Sequence, residues 1–194
     1  SLTPTLDRIA AEQGLLFDNL YADGNRTIRG YEGVFCSFPP LPGDSIVQPG
    51  RLDDDNIAAN QVGRLERSHL GLAGDCAIAS INGRGLNDRI FELELVPQQV
   101  GKASMDDKVV KSGRTTGVTF GIVKAVGVTV KMNYGPGFEA VEIGGFEIRP
   151  NPQKPAIDGE ISDGGDSGSL WLVDTNGPDK NVALGLHFAG ETDP

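Results

Sequence analysis

In the stretch Ser162-Asp163-Gly164-Gly165-Asp166-Ser167-Gly168-Ser169-Leu170, one serine stands between a Gly-Gly-Asp run and another glycine, just ahead of an apolar segment. A nucleophile for acyl transfer wants this setting. The attacked carbonyl oxygen becomes an anion, and a pair of preorganised backbone N–H groups beside the nucleophile stabilises it. Gly165 has the freedom to turn its N–H toward that of Ser167, and Gly168 leaves room for a substrate. The expectation is Ser167 as nucleophile, with the Gly165 and Ser167 N–H groups as oxyanion hole. A Gly/Asp/Ser turn between strands uses the same residue types, so the surroundings must decide between the two.

Those surroundings are short β-rich segments. Glycine at 27 and proline at 12 of 194 residues punctuate the chain, the usual mark of an all-β sandwich or barrel. Strand-like runs cover 76–81, 90–95, 118–130, 138–148, 170–173 and 182–188. Gly121 and Gly127 inside the longest run predict a bend or bulge there. One helix is predicted near the start, over Thr5 to Gln13, opened by Thr3-Pro4 and stopped by Gly14. The expected organisation is a helical extension over 1–16, a first β-domain over 17–100 and a second over 101–194.

A net charge of −10 and a pI near 4.6 argue against nucleic acid or an anionic membrane as partner, because phosphate contacts need clustered Lys and Arg. A protein or peptide is the expected partner, with an oligomer or a larger multidomain assembly left open. Cys36 and Cys76 follow neither a metal spacing nor a disulfide-dense pattern. A reducing, intracellular compartment is therefore the expectation; secretion stays open, since a mature chain would have lost its signal. The chain has no run of 18 apolar residues.

The Gly-Asp-Ser-Gly segment, followed by a small residue and the apolar Leu170-Trp171-Leu172, resembles the nucleophile loop of chymotrypsin-like serine proteases. Gly185-Leu186-His187-Phe188-Ala189-Gly190 resembles the strand that lines their specificity pocket. Asp75-Cys76-Ala77-Ile78-Ala79 resembles the segment carrying the triad aspartate, and Asp75 lies 92 residues before Ser167, against roughly ninety in that family. Gly43–Gly50 and Lys111–Gly117 further resemble the trypsin-like proteins of bacteria, fungi and plants that include the narrow-leaf proteins. The resemblance spans about Gly43 to Gly190. It implies an all-β fold of two antiparallel β-barrels of chymotrypsin type, with a short N-terminal helix and incomplete at both ends. It also implies peptide-bond cleavage by Ser167 with Asp75, and no metal or organic cofactor.

The resemblance further implies a substrate-binding role for His187, Ser162 and Gly190. Family members with Gly-x-His in this strand use the histidine to recognise Glu or Gln at P1. An imidazole N–H donates to a side-chain carbonyl, and an imidazolium favours a carboxylate. The Ser162 hydroxyl would add a second hydrogen bond.

The general base is the difficulty. The family places it roughly forty-five residues before the aspartate, yet 17–42 contains no histidine, and the chain has only His69 and His187. His69, six residues before Asp75 on the same connection, reads as a surface or strand-end residue. The expectation is that the sequence is a fragment, or has segments closed up, and that the histidine lies in a missing piece. The competing reading is a degenerate pseudoprotease that binds a peptide without cutting it. A third is a structural interaction domain docking through the N-terminal helix.

Other features read plainly. The run Arg51 to Asn56 lacks the ligand spacing of a calcium loop and is a solvated acidic loop. Trp171 is a core residue. The role of Arg114 in Gly-Arg-Thr-Thr-Gly is not legible from sequence.

Overall fold

A computed structural model describes residues 27–30, 33–36, 41–48, 54, 56–82, 85, 87–133 and 140–190. The helix expected over Thr5 to Gln13 and most of the acidic run 51–55 lie outside them. The described residues are mostly strand, with a single four-residue helix among them. They fall in two compact units. One takes Asn19–Gly85 and Val130–Ile143; the other takes Leu86–Thr129 and Gly144–Pro194.

In the first unit, β1 (Thr27–Gly30) and β2 (Gly33–Cys36) pair antiparallel. Strands β3 (Ser45–Val47), β4 (Gln61–Gly71) and β5 (Gly74–Ile81) form an antiparallel sheet in chain order. Ile46, Val62 and Leu65 form its core, against Ala77 and Ala79. Between β3 and β4 lies α1 (Ile57–Asn60), where the Asn56 side chain accepts the Ala59 N–H at 3.2 Å. That bond satisfies one of the donors a helix start leaves unpaired.

The second unit is built on a six-stranded sheet of β6 (Gln99–Val100), β7 (Lys108–Gly113), β8 (Gly117–Met132), β9 (Val141–Pro150), β10 (Leu170–Val173) and β11 (Val182–Leu186). The parts of β8 up to Thr129 and of β9 from Gly144 belong to this unit. The order is β6-β11-β10-β7-β8-β9, with β6 parallel to β11. Strand β7 is buried from Val109 to Gly113. Alternation sends Val109 to a cluster with Val123, Ile161 and Trp171, and Val110 to one with Ile90, Leu172 and Ala183. Burying each large apolar side chain contributes on the order of 2 kcal/mol. The same alternation commits Lys111 to the Trp171 side, a point on which the site depends.

One local expectation changes. The run 90–95 is not a strand: it closes on itself through an Ile90–Leu95 bridge, with Glu92 and Glu94 at positive φ. Its alternation is overridden because Ile90, Leu93 and Leu95 all pack into the Val110 cluster. The long β8 keeps its pairing with β7 through Gly121, and Gly127 takes φ +65° within the strand.

Candidate active site

The loop between β9 and β10 carries Ser167, and a turn from the neighbouring strand pair holds it. Strands β7 and β8 pair from Lys108↔Ile122 to Gly113↔Gly117, leaving Arg114, Thr115 and Thr116 as the connection. Its N–H groups meet the Asp166 carboxylate: Thr115 N–H donates to Oδ1 at 2.8 Å and Thr116 N–H at 3.2 Å. On Oδ2, the Thr116 hydroxyl donates at 2.6 Å, Lys111 Nζ at 3.1 Å and Asp163 N–H at 3.1 Å. Lys111 also donates to the Thr116 hydroxyl oxygen at 2.8 Å. Asp166 and Lys111 are both fully buried. Burial alone would push the Asp166 carboxyl up, but the Thr116 hydroxyl, the Thr115 N–H and the Lys111 bond and charge outweigh it and hold it at about 2.

The clamp leaves no space. A Cβ on Gly113 would collide with the Asp166 carboxylate and stand 2.8 Å from Lys111 Nζ. On the loop side, Gly165 takes φ +104°, a region side chains disfavour, and Thr115 Oγ1 donates to Gly164 O at 2.7 Å. Gly168 takes φ +88° and donates its N–H to His187 O at 2.6 Å, while His187 N–H donates to Ser169 O at 2.8 Å. Ser167, between two pinned neighbours, is exposed.

The three residues expected to bind substrate lie together. A Cβ on Gly190 would lie 2.5 Å from Ser162 Oγ and 4.0 Å from His187 Cε1. Ile161, just before Ser162, is held by the Thr119 hydroxyl, which donates to its carbonyl at 2.8 Å. The His187 ring stands edge-on to Trp171, with centroids 6.3 Å apart at 73°. Burial pushes its pKa down to about 4, the Lys111 charge adds to the fall, and the Asp166 charge partly opposes it. The ring is therefore neutral at pH 7.

A pH dependence of stability follows from both groups. The folded-state pKa of His187 lies below the ordinary imidazole value of 6.5, so between pH 6.5 and 4 the unfolded chain binds a proton that the folded chain refuses. Stability is expected to fall through that window as pH falls. Asp166, lowered from 3.8 to about 2, adds a second loss between those values. Urea midpoints at pH 7, 5.5 and 4.5 check the first window. His187→Gln should flatten the slope there, and an unchanged slope would contradict the assignment.

Asp75 is the second residue of β5, opposite Leu70, in the unit that holds β3, β4 and β5 rather than the one that holds Ser167. It is half-buried. His69 is exposed on β4 and pairs with Cys76. Opposed residues share a face and neighbours alternate, so the ladder sends His69 and Asp75 to opposite faces of the hairpin.

Sequence reading passed over the Asp166 clamp. Its signal was a lysine at an inward position of the apolar β7 run, followed by a Gly-Arg-Thr-Thr-Gly turn rich in N–H and hydroxyl donors.

No family model matches the chain. Among solved structures, the chymotrypsin of Cellulomonas bogoriensis is similar at a TM-score of 0.53, with 18% identity over 79% of this chain and 68% of that one. The chain has a chymotrypsin-like fold. A Nocardiopsis protease, NAPase, is similar at a TM-score of 0.50, with 19% identity over 68% of this chain and 61% of that one. Within this chymotrypsin-like fold, the loop of Ser167, the β7–β8 turn and the group of Ser162, His187 and Gly190 all belong to one unit.

Proposed function

We propose that the protein is a trypsin-like serine endopeptidase on two β-barrels that cleaves peptide bonds after Glu or Gln. The Ser167 hydroxyl gives its proton to a general base as Oγ attacks the scissile carbonyl, and the N–H groups of Gly165 and Ser167 hold the oxyanion. The C–N bond then breaks, the amine leaves with the proton, and water hydrolyses the acyl-enzyme. Asp75 orients the base and stabilises its cationic form.

The observation that carries this reading is the buried Lys111–Asp166 pair. Burying a charge pair costs several kcal/mol of desolvation per ion, and a surface turn needs nothing of the kind. Here the pair fixes the residue before an exposed serine, between glycines at positive φ. One observation favours the second reading, a peptide-binding pseudoprotease: of the two histidines, His187 is bound into the pocket strand and His69 is exposed on a hairpin. The general base is where the two readings part.

Specificity rests on the pocket trio. A neutral His187 N–H with the Ser162 hydroxyl suits a P1 carbonyl or carboxylate, and a site built on such bonds rejects side chains that leave it unpaired. A P1 peptide-library profile should be dominated by Glu and Gln, and His187→Ala should cut kcat/KM for those substrates far more than for apolar ones. Because the ring titrates near 4, where a glutamate side chain also takes up its proton, the Glu-over-Gln ratio should stay flat from pH 8 to 5.5. A profile led by Lys, Arg or large aromatics would refute the pocket assignment.

A further inference from the structure

The Gly165 N–H, one of the two donors that the endopeptidase reading gives to the oxyanion, is half of a peptide group whose other half is held. Thr115, in the β7–β8 connection, donates its hydroxyl to Gly164 O at 2.7 Å. A trans peptide is planar, with its C=O and N–H pointing in opposite directions. A hydroxyl that fixes Gly164 O toward the turn therefore fixes the Gly165 N–H away from it. The absence of a side chain at Gly165 allows the approach, because a Cβ there would lie 2.6 Å from Thr115 Oγ1. The hydroxyl is itself well placed, since the Thr115 N–H is tied to Asp166 Oδ1 at 2.8 Å.

The grip matters because the two glycines do not resist a half-turn of that peptide. Such a rotation changes ψ of Gly164 and φ of Gly165 together. Gly164 is exposed, and a Cβ on it would meet nothing within 4 Å. Gly165 stands at φ +104°, and the rotation would carry it to the negative side, which residues of every type adopt. Gly164 O would then sit where the N–H now points, a carbonyl oxygen in place of a donor to the oxyanion. The neighbouring N–H groups are already committed. Those of Asp163, Gly164, Asp166, Gly168 and Ser169 donate to Asp166 Oδ2, Asp163 Oδ1, Asp163 O, His187 O and Asp166 O in turn. Those of Gly165 and Ser167 donate to no acceptor among the described residues. We propose that Thr115 is a positioning residue of the oxyanion hole, its hydroxyl holding the Gly164–Gly165 peptide so that the Gly165 N–H faces the scissile carbonyl. The proposal deepens the endopeptidase reading and rests on it.

The test is Thr115→Val, which keeps the side-chain shape and the backbone N–H bond to Asp166 and removes the hydroxyl alone. On a peptide with Glu at P1, kcat should fall about tenfold with KM changed less than about twofold, because an oxyanion donor acts in the transition state rather than on bound substrate. About tenfold is the weight of one hydrogen bond; it stays below the roughly 10²–10³-fold of a donor removed outright, since the N–H remains and only its direction is freed. A peptide boronic acid, whose tetrahedral adduct on Ser167 mimics the transition state, should bind about tenfold more weakly to Thr115→Val. Anisotropy of the uncleaved peptide on a Ser167→Ala background should not change when Thr115→Val is added, whereas a merely structural threonine would weaken both. Thr115→Ser should restore kcat. Crystal structures of wild type and Thr115→Val read the direction of Gly164 O without turnover, and the rotated peptide should appear only in the variant. If the wild-type chain neither cleaves nor takes up a fluorophosphonate, the endopeptidase reading fails and the direction of Gly164 O alone decides whether Thr115 holds the peptide. An unchanged kcat in Thr115→Val, or Gly164 O directed alike in both crystal structures, overturns the assignment.

Discussion

Lys111→Met is expected to destabilise the protein by about 3–5 kcal/mol, the cost of leaving one partner of a buried ion pair unpaired. Lys111 and Asp166 are each fully buried at 3.1 Å, so neither recovers water when the other is removed. Methionine fills the volume of the lysine stem and isolates the effect of the charge. Asp166 would keep its donors from Thr115, Thr116 and Asp163, which places the loss within that range rather than above it. Lys111→Met combined with Asp166→Asn should regain part of the loss, because the double variant buries no unpaired charge. Urea denaturation of the four forms gives the coupling. A single-variant loss below about 1 kcal/mol would mean that water reaches the pair, and the loop would then lose its anchor. Peptide turnover should fall with Lys111→Met even where the chain stays folded, since the clamp sets the positions of Gly165 and Ser167.

Asp75→Asn is expected to lower turnover by on the order of 10⁴-fold with little change in the fold, as when the triad carboxylate loses its charge and the histidine its correct tautomer. Asp75 is half-buried at the start of β5, where an amide fits the space of the carboxylate. The loss should therefore appear in kcat and not in the urea midpoint. A loss below about tenfold would reduce Asp75 to a residue of the β4–β5 hairpin and remove it from the mechanism.

What the sequence made legible was local. A serine between glycines and a Gly-x-His strand could be read directly, because backbone freedom and side-chain chemistry are properties of residue types. The apolar run at 170–173 likewise appears as β10, and that at 182–188 as β11, which ends at Leu186. Strand β4 was hidden because from Glu66 to Leu70 its side chains are all exposed, so the alternation that would mark a half-buried strand ends at Leu65. The run 90–95 misled for the opposite reason: a regular alternation gave way to packing of Ile90, Leu93 and Leu95 on one cluster. The Asp166 clamp needs residues 55 apart in the chain, Lys111 and Asp166, to meet, and no spacing rule states that. The histidine of that strand, His187, was legible. Its depressed pKa was not, because that arises from burial and from the charge of Lys111.

Ser167 as an activated nucleophile is tested most directly by incubating the full chain with a fluorophosphonate probe and sequencing the labelled peptide by mass spectrometry. An unactivated serine hydroxyl reacts slowly with such a probe, whereas one beside a base and an oxyanion hole reacts readily. The expected result is a single adduct on Ser167, absent from Ser167→Ala and strongly slowed in Asp75→Asn. Equal labelling of wild type and Ser167→Ala, or no labelling of the folded wild-type chain, would contradict the endopeptidase reading and leave the chymotrypsin-like fold as a peptide-binding module.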